Sequence, residues 1–232
     1  MWKQLIQAWK ADNLLEQAWD ESFQMLEIDR EMFLEAVRVL RESDDAEINT
    51  AIRKRDKEVN RYEREVRRKV MTHCTVAGAR DLPGGMVLVS IVIDIERIGD
   101  YCKNILDLAA AHPKRLSLPD YETSISEVEQ EVRRRFDQTI DILREHDTDR
   151  ARDLMATFKE DVGRTCDKMV DDAVAGNVTP LWPGDAVALA LYARYLKRIG
   201  AHLNNVITST VNPFERIGFR EKRKSSDGAP PA

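Results

Sequence analysis

The chain has 232 residues, 43% of them hydrophobic, 33% charged and 6% aromatic, with 10 glycines and a formal net charge of -5. That length holds one large domain or two modules of about 110 residues with a core each, and the abundance of Leu, Glu, Arg, Ala and Lys between sparse glycines and prolines favours helix. The acidic balance argues against a nucleic-acid binder, and three cysteines, Cys74, Cys102 and Cys166, at no metal-ligand spacing, read as reduced thiols of a cytoplasmic protein with no disulfide framework.

In chain order, the opening stretch MWKQLIQAWKADNLL mixes charged and apolar residues too closely for a signal-peptide core and reads as the start of the first helix of a bundle. Trp2 and Trp9 within it, like Trp19 and Trp182 later, read as packing residues. A break at residues 42–47 (ESDDAE) precedes a second segment in which Ile48, Ile52, Val59, Val66 and Val70 share one stripe. Its basic run RYEREVRRK, residues 61–69, reads as a solvated face. After a break at 78–85 (GARDLPGG), the third segment places Ile95, Ile98, Cys102 and Ile105 on one face. Residues 112–120 (HPKRLSLPD), 145–149 (EHDTD) and 176–185 (GNVTPLWPGD) delimit three more segments; in the fifth, Leu154, Phe158, Val162, Met169 and Val170 form the stripe. The uncharged apolar runs at 86–93 and 186–193 are about half of the roughly 20 residues that a membrane span needs. The tail REKRKSSDGAPPA has nothing to bury and reads as disordered.

LeuProGlyGly at 82–85, an apolar run, and GluArgIleGlyAspTyrCysLysAsnIle at 96–105 are matched by TrpProGlyAsp at 182–185, an apolar run, and LysArgIleGlyAlaHisLeuAsnAsnVal at 197–206. The ArgIleGly core and the following Asn104 and Asn205 keep the same spacing, so the chain is a duplicated three-helix unit. The expected fold is all-α: two tandem bundles of long antiparallel helices, residues 1–113 and 114–219, followed by the tail 220–232.

Glu96, Asp100 and Asn104 stand at i, i+4, i+8 on the third segment, and Asp56, Asn60 and Glu63 at i, i+4, i+7 on the second. Val89, Val92 and Ile93 continue the first of these stripes upstream, which puts it at the edge of a packed seam. If the two helices pack antiparallel, the sets face one another, and clustered carboxylates repel unless protonated or bridged by cations. Hard oxygen donors suit Mg, Mn or Fe; the competing reading is plain surface charge. His73, His112, His146 and His202 sit on different segments, and none forms the Glu-x-x-His of a di-iron carboxylate enzyme. Gly84 and Gly85 lack the Lys and Ser or Thr of a phosphate loop, so no enzyme is expected.

The string DIERIGDYCKNI, residues 94–105, resembles the signature of PhoU proteins, and RDKEVNRYERE, residues 55–65, is similar to that family's other acidic helix motif. The resemblance extends over residues 12–219 in length, repeat period and helix order. It implies a divalent or trivalent ion (Fe, Mn, Mg or Zn) at Asp56, Glu63, Glu96 and Asp100 of the first repeat, with Asn60 and Asn104 beside them. It also implies a regulatory adaptor that links a phosphate transporter to a sensor histidine kinase and represses the phosphate-starvation response. Such an adaptor would meet the membrane only through its partner and could pair with a second copy; an accessory subunit of a Pit-type or Na-coupled phosphate permease is the alternative. The second repeat departs from the pattern: Lys197 stands for Glu96 and Ala201 for Asp100, while Asp161 is accompanied by Thr165 and Lys168. A cation is expected in the N-terminal half only.

Overall fold

A computed structural model describes residues 14–44, 50–178 and 181–221; Trp2, Trp9, Ile48, the side chain of Ile52 and tail residues 222–232 lie outside the described residues. Helices α1 (Leu14–Glu42), α2 (Thr50–Ala77) and α3 (Leu82–Ala111) pack against one another, with a 3-10 turn at Ala79–Asp81 between the last two. Helix α4 (Glu122–Glu145) is followed by a rod in three parts: α5 (Thr148–Phe158), a π-helical stretch (Lys159–Arg164) and α6 (Thr165–Val174). Helix α7 (Pro183–Thr208) completes the second set, before a 3-10 turn at Phe214–Arg216. Among the described residues there is no strand, and no helix is long and apolar enough to cross a membrane.

The apolar stripes become the core. Ile95, Ile98, Cys102 and Ile105 are fully buried, as are Val59, Val66 and Val70 of α2 and Val162 and Met169 of the fifth rod. One cluster of buried side chains runs through both bundles, because α3 packs on α7 and α1 on α4. The basic run on α2 is solvated as expected: Arg64, Arg67 and Arg68 are exposed, and Arg67 and Arg68 pair with Glu63 and Glu65 of the same helix.

Three local expectations need correction. Helices α3 and α7 begin inside the stretches 78–85 and 176–185, because Pro83 and Pro183 fall in the first turn, where a missing N–H costs nothing. Gly85 is then a contact residue, since a Cβ there would come within 2.9 Å of Cys74 Sγ and Val70 Cγ1. The fifth segment widens into a π-helical stretch around Gly163, which apolar spacing alone does not signal. Trp182 is not core: it is 59% exposed, its ring lying over Gly184, where a Cβ would approach to 1.8 Å. The turn between α4 and α5 is sharp because His146 adopts φ 54, and Asp147 Oδ1 then caps α5 by accepting from the backbone N–H of Asp149 and Arg150.

The repeated ArgIleGly core has a packing cause. A Cβ on Gly99 would stand 2.7 Å from Asp29 Oδ1, and one on Gly200 would stand 2.9 Å from Phe158 Cε2, so each glycine lets a neighbouring rod approach closely.

Polar groups also lock the seam between bundles. Buried Tyr192 donates to Glu129 Oε1 at 2.7 Å, and Arg41 Nε lies 3.1 Å from the same oxygen while its other nitrogens reach Leu116 O and Glu122. Burial pushes the Glu129 carboxyl above its ordinary value despite these partners. Replacing Tyr192 with Phe leaves Glu129 short of a donor, and we expect a loss of about 1–3 kcal/mol, read as a lower urea midpoint with the helical content unchanged. A second lock joins α3 to α7: Asp94 Oδ1 accepts from Asn205 Nδ2 at 3.0 Å and lies 2.7 Å from His202 Nδ1, whose ring stacks on Tyr101.

Candidate functional site

Helices α2 and α3 bring their acidic residues to one place. Glu96 is half-buried, and its carboxyl is raised by burial first, then by Asp100 and Glu63. Asp56 is raised by burial as well, with Lys103 opposing and Asp100 and Asp107 adding to the effect. Glu63 forms an ion pair with Arg67 at 2.8 Å, and Asp100 lies 4.0 Å from Lys103 Nζ. Asn60 Nδ2 donates to the backbone oxygen of Asp56 at 2.9 Å, and Asn104 is half-buried farther along α3.

Sequence reasoning missed the group beneath this cluster. Asp29 of α1 is fully buried, and neither of its carboxylate oxygens has a hydrogen-bond partner among the described residues. Burial holds its carboxyl well above the usual carboxylate range, and the charges of Glu96, Asp56 and Asp100 push in the same direction. The signal was present: Met25, Asp29 and Phe33 fall at i, i+4, i+8, so a carboxylate stands on the apolar stripe of α1. The Cys102 thiol next to it is likewise pushed up, by burial and then by the Asp29 charge, and lies 3.7 Å from the Asp29 carbonyl oxygen.

Five neighbouring carboxylates, of which Asp29, Asp56 and Glu96 are raised by burial and by their neighbours' charge, are a hard-oxygen donor set of the kind Mg, Mn or Fe takes, and an orphaned buried carboxylate at its base is a group that a cation would satisfy. In their present rotamers no three Asp, Glu, His or Cys side chains among the described residues converge closely enough to hold an ion. The residues placed to do so after side-chain rotation are Asp56, Glu63, Glu96 and Asp100, with Asp29 behind them.

Residues 23–109, which span α2 and most of α1 and α3, all of this cluster included, match the model of the PhoU domain. This stretch is similar to the PhoU domain. The whole fold is similar to the crystal structure of PhoU from Pseudomonas aeruginosa, with a TM-score of 0.75 and 20% identity over 86% of this chain and 96% of that one. It is also similar to the phosphate transport system regulatory protein PhoU from Streptococcus pneumoniae, with a TM-score of 0.75 and 14% identity over 87% and 95% of the two chains. No curated protein matches the chain.

The match to the PhoU domain lies wholly within the first bundle, and the chemistry of the second differs accordingly. Asp161, the acid that remains at the positions repeating the cluster, is 3.3 Å from the buried guanidinium of Arg135. Lys197, at the position of Glu96, is bound by Asp167 at 2.5 Å, and Lys168, at the position of Glu63, by Asp172 at 2.5 Å. The acidic cluster of the first bundle therefore has no counterpart among the described residues of the second. Three of the four histidines are paired with aspartates: His73 with Asp81, His112 with Asp185 and His202 with Asp94, at 2.9, 2.9 and 2.7 Å.

Proposed function

We propose that the protein regulates phosphate transport by binding, as a cytoplasmic adaptor between a phosphate transporter and the sensor histidine kinase that controls the starvation response. The similarity of residues 23–109 to the PhoU domain, within a fold that matches PhoU proteins along most of the chain, is the observation that carries this reading. Deletion of the gene is expected to switch on phosphate-starvation reporters in phosphate-rich medium. Unchanged reporter activity and unchanged phosphate uptake would remove the proposal.

The acidic cluster gives the adaptor a cation site in its first bundle. Here Asp56, Glu63, Glu96 and Asp100 hold the ion, which neutralises their mutual repulsion and braces α2 against α3. Asp100→Ala is expected to lower the Mn or Fe content measured by mass spectrometry after loading. Asp161→Ala, in the second bundle, leaves it unchanged, because that carboxylate is already matched by Arg135. Equal metal in wild type and Asp100→Ala, or none in either, reduces the cluster to solvated surface charge.

A further inference from the structure

We propose that the second bundle holds a pocket for a nucleoside phosphate at the place where the first holds its acidic cluster. This inference depends on neither the phosphate-regulator reading nor the cation site. A cavity of about 620 Å³ opens between α5 and α7, walled on its third side by residues 218–221, a volume within the usual range of small-molecule sites. Two of its lining residues, Ala201 and Asn205, occupy the repeat positions of Asp100 and Asn104. Removal of the carboxylate at 201 opens space and takes away the attraction for a cation, while Asn205 is spoken for by Asp94.

The rim has the opposite charge to the first site. Lys159 and Arg220 line the cavity, both are exposed, and neither side chain has an ion-pair partner among the described residues. Arg152 on the same rim is paired instead: it grips Glu221 at 2.8 and 3.0 Å and so ties down the wall segment. Two unpaired cations on one rim suit a phosphate chain.

The body of the cavity suits a flat ring. Phe158 and Phe219 contribute aromatic walls from opposite elements, and each is fixed in place. Phe158 packs against Gly200 and lies 5.5 Å beneath the Arg135 guanidinium. The segment carrying Phe219 is held by Asn212 Nδ2, which donates to Phe219 O at 2.6 Å, and by the Gly218 N–H, which donates to Thr208 Oγ1 at 2.7 Å. Asn204, also on the wall, keeps a buried Oδ1 with no donor, an acceptor for the exocyclic amine of a base. The rod also leaves α-helical geometry at Lys159, and π-helical turns recur at functional sites. Aromatic faces, amides and free cations in one cavity are the recognition chemistry of a nucleoside phosphate.

Calorimetric titration of the full chain in chelator-containing buffer, which silences any metal at the first bundle, tests this with ATP, adenosine and tripolyphosphate as probes. We expect one ATP per chain, bound at least tenfold more tightly than either adenosine or tripolyphosphate. Lys159→Glu, an exposed change that leaves the helical spectrum intact, is expected to weaken ATP at least tenfold and leave adenosine unaffected. Ala201→Trp fills the cavity and abolishes both, and Asp100→Ala alters neither. ATP binding no tighter than that of tripolyphosphate, or ATP binding that survives Lys159→Glu unchanged, overturns the proposal, as does no ATP binding at all.

Discussion

Replacing Ile98 with Asp abolishes the cooperative fold of both bundles, not of the first alone. Ile98 is fully buried on α3, the helix that packs on α1, α2 and α7 at once. An aspartate there brings an unpaired carboxylate into an apolar seam, a cost of several kcal/mol, and forfeits the burial of the isoleucine besides. Since the whole chain is stabilised by only about 5–15 kcal/mol, the loss is comparable to the total. Because one buried cluster crosses the boundary between bundles, the second keeps by itself only a small cluster of Ile142, Ala151, Leu154 and Ile207. The expected result is loss of most of the helical circular-dichroism signal at 25 °C. A variant that keeps its helicity and its urea midpoint would show that this face of α3 is not a core face; one that loses only half its helicity would show that the bundles fold separately.

The contrast between what was legible and what was not follows from range. Helix existence and the inward faces of α2 and α3 were readable because they depend on spacing within one segment: Val59, Val66 and Val70, or Ile95, Ile98 and Ile105, need only a 3.6-residue period to align. The repeat was readable because ArgIleGly recurs, although its reason, the close approach of Asp29 to Gly99 and of Phe158 to Gly200, lies between segments far apart in sequence. Helix starts differ from the sequence pattern where Pro and Gly fall inside a first turn and not in a break. The candidate site was half legible for the same cause. The carboxylates of α2 and α3 announce themselves by periodicity, but Asp29 arrives from α1 and is marked only by being charged on an apolar stripe. The cavity of the second bundle was not legible at all, since its third wall is a segment after the last helix, placed by the bonds of Asn212 and Thr208.

The two bundles therefore share a fold and a glycine-dependent helix contact while presenting opposite chemistry at equivalent positions. In the first, like charges are crowded together over a buried acid. In the second, each inherited charge is matched: Asp161 by Arg135, Lys168 by Asp172, Lys197 by Asp167. Crowded like charge costs stability and is found where it serves binding. Lys–Asp and Arg–Asp matching removes that cost and frees the second bundle for another ligand.

Asp29→Asn is expected to make the metal-free protein more stable at neutral pH, with an advantage that disappears on acidification. The folded-state carboxyl is held well above its ordinary value of 3.8 by burial and by Glu96, Asp56 and Asp100. Between that ordinary value and the raised one, the folded chain holds a proton that the unfolded chain has released, so stability falls as pH climbs through this window. Below it, both states are protonated and the acid costs nothing extra. Asparagine keeps the shape, carries no charge at any pH and removes the dependence; at pH 7 the gain should be about 1–3 kcal/mol, or several degrees in melting temperature for a chain of this length. Thermal melts of chelator-treated wild type and variant from pH 4 to 8 should therefore diverge as pH rises. Adding Mn²⁺ should narrow the gap, because a cation over the cluster relieves the charge that asparagine lacks. Parallel curves across the pH range would mean that Asp29 is ionised and satisfied in the folded chain, and would take away the strongest physical reason for a cation at the first bundle.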